Sequence, residues 1–202
     1  IQKDDAPKNE LSADDNASLT GVFTAEMPTM DKTQFHVESA AMGENGTPIL
    51  ITQSEYMRRM KDASRYQQGM SFYGEMPDMY NVVLNADHRL IKEVLADMKS
   101  QLADKLQPIE SELKGLHARH TAIEQSQKDK KPEELTDADK EDMKKCNDDI
   151  AAQEEARKQV WAEYGKQNPV VPQLIDLALL QNGLLRGEAL SKFINRSVDL
   201  IK

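Results

Sequence analysis

The sequence is poor in the features that mark several large protein classes. It has one cysteine, Cys146, in 202 residues, which excludes an intrachain disulfide framework and a cysteine zinc site. A reducing, cytoplasmic setting is the simplest reading of that scarcity. Positive charge is also in deficit. Lys and Arg number 26 against 35 Asp and Glu, for a net charge of −9, which argues against a nucleic-acid-binding surface. The strongest uncharged apolar stretches, such as residues 177–185, fall far short of the roughly 20 residues that a membrane helix needs. The chain opens Ile1-Gln-Lys-Asp-Asp5, without a secretory signal or an initiator Met, and reads as a piece of a longer or processed protein. In that setting the Asn-x-Ser/Thr triplets at Asn16, Asn45 and Asn195 are chance matches. Neither a Gly-x-Ser-x-Gly elbow nor a phosphate loop nor a Rossmann fingerprint occurs, so the chain by itself is not expected to be an enzyme. What remains, 39% apolar and 5% aromatic residues, suits a helix-rich globular domain.

Residues 1–16 are acidic and aperiodic and read as a linker. A short helix over about 17–27 follows, with Leu19, Val22 and Phe23 on one face and Pro28 ending it. The period then changes. Residues 33–39 alternate through Phe35 and Val37, and residues 48–52 are a β-branched run. Asn45-Gly46 between them suits positive φ, so two strands with a tight connection are expected. Residues 80–85 form a third strand, separated from the second by a helix over 54–67. The expected class is α+β, with residues 17–95 a small subdomain built on a three-stranded sheet.

From Asp87 apolar residues recur every three or four positions, from Ile91 through Leu95, Met98, Leu102 and Leu106 to Ile123, the seam of a long helix. Asn85 or Asp87 is a candidate cap. Thr136 with Asp139 opens a second helix as an acidic capping box. Thirty of the 70 residues from 97 to 166 are charged, against 30% overall. Such a stretch makes no core of its own, but two helices zipped along one stripe satisfy it, so 96–166 is expected to be an inserted antiparallel helical hairpin. Residues 167–202 form two further helices, the first capped by Asn168 and stopped at Asn182-Gly183. Their apolar surface exceeds what a thin sheet covers. Either they fold back on the sheet, or a second copy completes a four-helix bundle with two-fold symmetry.

Candidate chemistry is sparse. His117 and His120 share a helical face with Glu124 near by. A metal-dependent hydrolase would use these three, but a solvated pair explains them better, and no metal is expected. Methionine placement says more. Five of the ten Met residues lie between 57 and 79, among Tyr56, Phe72, Tyr73 and Tyr80. Flexible thioethers suit a surface meeting varied apolar partners, or they cover the sheet.

Three runs carry a family resemblance: Tyr80-Asn-Val-Val-Leu-Asn-Ala-Asp-His-Arg-Leu-Ile-Lys92, Gln173-Leu-Ile-Asp-Leu-Ala-Leu-Leu-Gln-Asn-Gly-Leu-Leu185 and Phe193-Ile-Asn-Arg-Ser-Val-Asp-Leu-Ile201. Together they resemble the C-terminal dimerisation domain of the bacterial ninety-kilodalton heat-shock chaperones, over about residues 23–202. The hairpin at 96–166 departs from the shorter bacterial pattern. The resemblance implies a stress-response chaperone module that homodimerises through its last two helices and has an amphipathic helix at 54–67 facing unfolded clients. It implies ATP and Mg only in a separate N-terminal domain, and no cofactor here. The dimer interface is then expected at Leu174, Leu177, Leu180, Leu190, Phe193, Ile194, Val198 and Ile201. The client-binding residues are expected at Tyr56, Met57, Met60, Met70, Phe72, Tyr73 and Met76. The competing function is a free-standing coiled-coil adaptor that binds partners through the hairpin.

Overall fold

The structure, a computed structural model, describes residues 11–53, 58–59, 62–63, 77–128 and 136–201. Its elements run α1 (Ala13–Glu26), β1 (Thr33–Ala40), β2 (Ile49–Gln53), β3 (Asp78–Asn85), α2 (Arg89–Gln127), α3 (Asp137–Gln167), α4 (Val170–Gln181) and α5 (Gly187–Ile201). The class is α+β. Two units are distinguished, one made of residues 98–163 and the other of the remainder.

In the larger unit the sheet order is β1-β3-β2. β1 runs parallel to β3, with Phe35 opposite Tyr80 and Val37 opposite Val82, while β2 runs antiparallel to it, with Ile51 also opposite Val82. β1 and β2 are therefore not partners, and the tight hairpin expected around Asn45-Gly46 does not form. Burial explains why β3 takes the centre. Its second half carries Val82, Leu84 and Asn85 buried, whereas β1, with Gln34, His36 and Glu38 exposed, is polar enough to sit at an edge.

The loop from β1 to β2 folds around the end of β3. Asn85, with 0% exposure, donates from Nδ2 to the carbonyls of Gly43 at 2.9 Å and Thr47 at 3.2 Å. Its Oδ1 accepts the backbone N–H of Met42 and of Asp87, each at 3.1 Å. One amide thus makes four hydrogen bonds, the number its two donors and two lone pairs allow. Gly46 lies against it so closely that a Cβ there would stand 2.9 Å from Asn85 Nδ2 and 3.0 Å from the Met42 carbonyl. That approach accounts for Gly46, and the left-handed residue of the loop is Gly43 instead (φ 80°). The capping role expected of Asn85 or Asp87 passes to His88, whose Nδ1 accepts the Leu90 N–H at 3.1 Å. Asp87 accepts the Gly43 N–H at 2.7 Å.

α1 begins at Ala13, where Ser12 Oγ accepts the Asp15 N–H, four residues before the helix start read from the periodicity. It packs on β1, and α4 packs on β2 and α1. Leu19, Val22 and Phe23 of α1, Ile49, Ile51, Val82 and Leu84 of the sheet, Ile91 and Val94 of α2 and Val171, Ile175 and Leu179 of α4 are all buried. Each such aliphatic side chain contributes ~1.5–3 kcal/mol on leaving water.

In the smaller unit α2 and α3 run antiparallel. Arg119 pairs with Asp142, Gln153 donates to Glu112 at 2.8 Å, and Lys105 lies 3.9 Å from Glu163. Met98, Leu102, Leu106, Leu113, Ile123, Cys146 and Trp161 are its buried apolar residues. Thr136 and Asp139 form the reciprocal cap, with Asp139 N donating to Thr136 Oγ1 at 3.2 Å and Thr136 N to Asp139 Oδ2 at 3.0 Å.

Asn85→Ala leaves two N–H groups and two carbonyls without their partner. Urea unfolding is expected to show a loss of about 2–4 kcal/mol. Asn85→Asp gives no rescue, because a carboxylate cannot donate to the Gly43 and Thr47 carbonyls.

Candidate functional site

The candidate site is built by the last two helices. α4 starts where the Asn168 Oδ1 accepts the N–H groups of Val170 at 2.9 Å and Val171 at 3.3 Å. The Nδ2 of the same residue donates to the Tyr164 hydroxyl at 2.8 Å, and that hydroxyl donates to Asp97 Oδ2 at 2.7 Å. Burial, then the Asp97 carboxylate, pushes the Tyr164 phenol well above its ordinary value. The helix ends on Gly183 (φ 68°), with Gly183 N bonded to the Leu180 carbonyl at 3.0 Å and Leu184 N to the Leu179 carbonyl at 2.9 Å. This double closure is a Schellman stop, and it turns the chain into α5.

Once α4 has buried Val171, Leu174, Ile175, Ala178 and Leu179, its other face is left outward. Leu177 and Leu180 are 38% and 39% exposed, and on α5 Ile194 and Val198 are 51% and 49% exposed. Four of the six large exposed apolar side chains among the described residues therefore lie on these two helices, the others being Leu50 and Met79 of the sheet. Leu190 and Phe193 are half-buried. Leu174, expected at a dimer interface, is instead buried in the core of its own chain, because it lies on the face of α4 turned to the body with Val171 and Ala178. The side chain of Ile201 lies outside the described residues.

Polar groups brace the two helices. Arg196 donates to Asp176 Oδ2, Gln173 Nε2 donates to Ser197 Oγ at 2.6 Å, and Ser197 Oγ donates to the Phe193 carbonyl at 2.9 Å. Burial raises the Asp176 carboxyl above its ordinary 3.8, and Arg196 only partly offsets this. The sequence reading passed over this bracing. The signal was present in Gln173 and Asp176, two polar residues three apart in an otherwise apolar helix.

Tyr56, Met57, Met60, Met70, Phe72, Tyr73 and Met76 all lie outside the described residues. Of the helix expected over 54–67, residues 58, 59, 62 and 63 are described, and they are helical. Among the described residues no group of three or more His, Cys, Asp or Glu side chains is placed to hold a metal ion. His120 Nδ1 lies 3.6 Å from Glu124 Oε2, and His117 is exposed. No described helix is long and apolar enough to cross a membrane.

By sequence the chain is similar throughout its length to heat-shock chaperones. All of it aligns with the C-terminal part of chaperones of the HtpG type. It is 47% identical over 204 residues to the chaperone protein HtpG of Bacteroides fragilis. It is 43% identical over 201 residues to that of Bacteroides thetaiotaomicron, and 41% identical over 201 residues to that of Porphyromonas gingivalis. Each match takes in 100% of this chain, and the chain spans about 30% of the length of these curated relatives. No family model matches, and no solved structure matches significantly.

The raised Asp176 carboxyl sets a pH dependence. A group whose folded pKa exceeds its unfolded value contributes its stability below the unfolded value and loses it as pH rises through the folded one. Asp176→Asn, a mimic of the protonated acid, is therefore expected to be at least as stable as the wild type near pH 7. Thermal melts should show that difference closing towards about pH 4. A variant clearly less stable than the wild type near pH 7 contradicts the assignment.

Proposed function

We propose that this chain is the homodimerisation and client-contact module of an ATP-dependent chaperone that assists protein folding. The observation that carries the proposal is the exposed stripe of Leu177, Leu180, Ile194 and Val198 on α4 and α5, in a chain whose relatives are HtpG chaperones. Outward apolar side chains on two paired helices are hidden best by the same face of a second copy, because a two-fold axis makes one surface complementary to itself. Four helices then enclose one core. ATP binding and hydrolysis belong, in this reading, to domains outside this chain. The module holds two copies together, so that closure of those distant domains is an intramolecular step at high effective concentration. Clients are met by the Met-rich stretch around Tyr56, Met57, Met60 and Met70 to Met76, whose unbranched side chains adapt to varied apolar segments. The working compartment is the cytoplasm, in keeping with the lone, buried Cys146.

Two measurements test the two halves of the reading. Leu177→Asp and Ile194→Asp, both at exposed positions that tolerate a charge in the isolated fold, are expected to sediment as monomers where the wild type sediments as a dimer, since an unpaired charge is expelled from an apolar interface. Variants that remain dimeric refute the interface. Met57→Ser with Met60→Ser is expected to weaken suppression of client aggregation and leave the sedimentation of the chain unchanged. Undiminished suppression by that double variant removes the client assignment.

A further inference from the structure

The contact between α4 and α5 is not wholly apolar. Arg196 donates to Asp176 Oδ2 and, from Nε at 3.5 Å, to Gln173 Oε1, while Gln173 Nε2 donates to Ser197 Oγ at 2.6 Å. Two polar residues of each helix thus interlock, one residue from Leu177 and within two of Ile194 and Val198. Apolar contacts are non-directional and allow α5 to slide along α4. The polar set does not. A shift of one helical turn, about 5.4 Å, would part Arg196 from Asp176 and leave a half-buried carboxylate without its cation. Burial works against the ionised Asp176, and Arg196 offsets this only in part. Half-buried ion pairs of this kind add little net stability and serve best where one arrangement must be selected over others.

We propose that Asp176 and Arg196 form a register pin: a specificity element that fixes α5 on α4 so that Leu177, Leu180, Ile194 and Val198 are presented in one arrangement, with the neighbouring Gln173 and Ser197 marking the native register. The use of that arrangement by a second copy rests on the dimerisation reading above, and the pinning within one chain does not. The test uses the full chain with Cys146→Ala, so that Gln173→Cys and Ser197→Cys are its only thiols and a short bifunctional thiol reagent joins them when the register is native. With the pair changed to Asp176→Leu/Arg196→Met, the intrachain cross-linking yield is expected to fall by about threefold or more as other registers become populated. The melting temperature should stay level or rise, and sedimentation should spread over several species. An equal yield in both backgrounds overturns the pin, as does a drop in yield accompanied by a lower melting temperature, which would mark plain unfolding. If the unmodified chain sediments as a monomer, the dimerisation reading fails, while the cross-linking comparison still decides the pin.

Discussion

The sheet, the β1–β2 loop and the start of the long helix are joined through a single buried amide. Asn85 sits at 0% exposure at the end of the central strand, and all four of its side-chain hydrogen bonds are made to backbone groups. A buried polar group in a low-dielectric setting strongly favours the one geometry that satisfies it. The arrangement therefore dictates the path of residues 42–47, holds Gly46 against the amide, and aims the chain through Asp87 and His88 into α2. An apolar residue could fill the volume, but it could not direct a loop that lies on the strand end without pairing as a strand.

Asn168 does related work with different partners. Its carbonyl oxygen caps α4, and its amide nitrogen holds the Tyr164 hydroxyl beside Asp97. The apolar core of this unit is built from α1, one face of the sheet, the start of α2 and the inner face of α4. The core stops at α4, and α5 is attached to that helix partly through Arg196, Asp176, Gln173 and Ser197. The division of α4 into a core face and an outward face follows directly, and it puts the exposed apolar side chains where α5 adds its own.

Local signals in the sequence were reliable wherever one short segment settles its own geometry. The Thr136–Asp139 cap, the Asn168 cap and the stop at Gly183 were legible because each depends on a few neighbouring residues. So were the apolar faces of α1 and of the hairpin, which repeat with the helical period. The family was legible too, from runs such as 80–92 and 173–185. The outward apolar face of α4 and α5 was legible only in part. Leu177, Leu180, Ile194 and Val198 are exposed, but Leu174 shares their sequence pattern and is buried, since a helix that is apolar nearly all round does not declare which side meets its own core.

Residue type and spacing over a few turns were enough to read most of the described helices and strands and the kinship with HtpG chaperones, though not the start of α1 or the cap of α2. Long-range packing sets β3 between β1 and β2, makes Asn85 a buried organiser instead of a helix cap, and settles which side of α4 is left outward. Those outcomes depend on contacts between residues some forty positions apart, such as Asn85 with Gly43. Neither partner carries a local mark of the other, and the choice among possible pairings is made by the burial and hydrogen bonding of the whole unit at once.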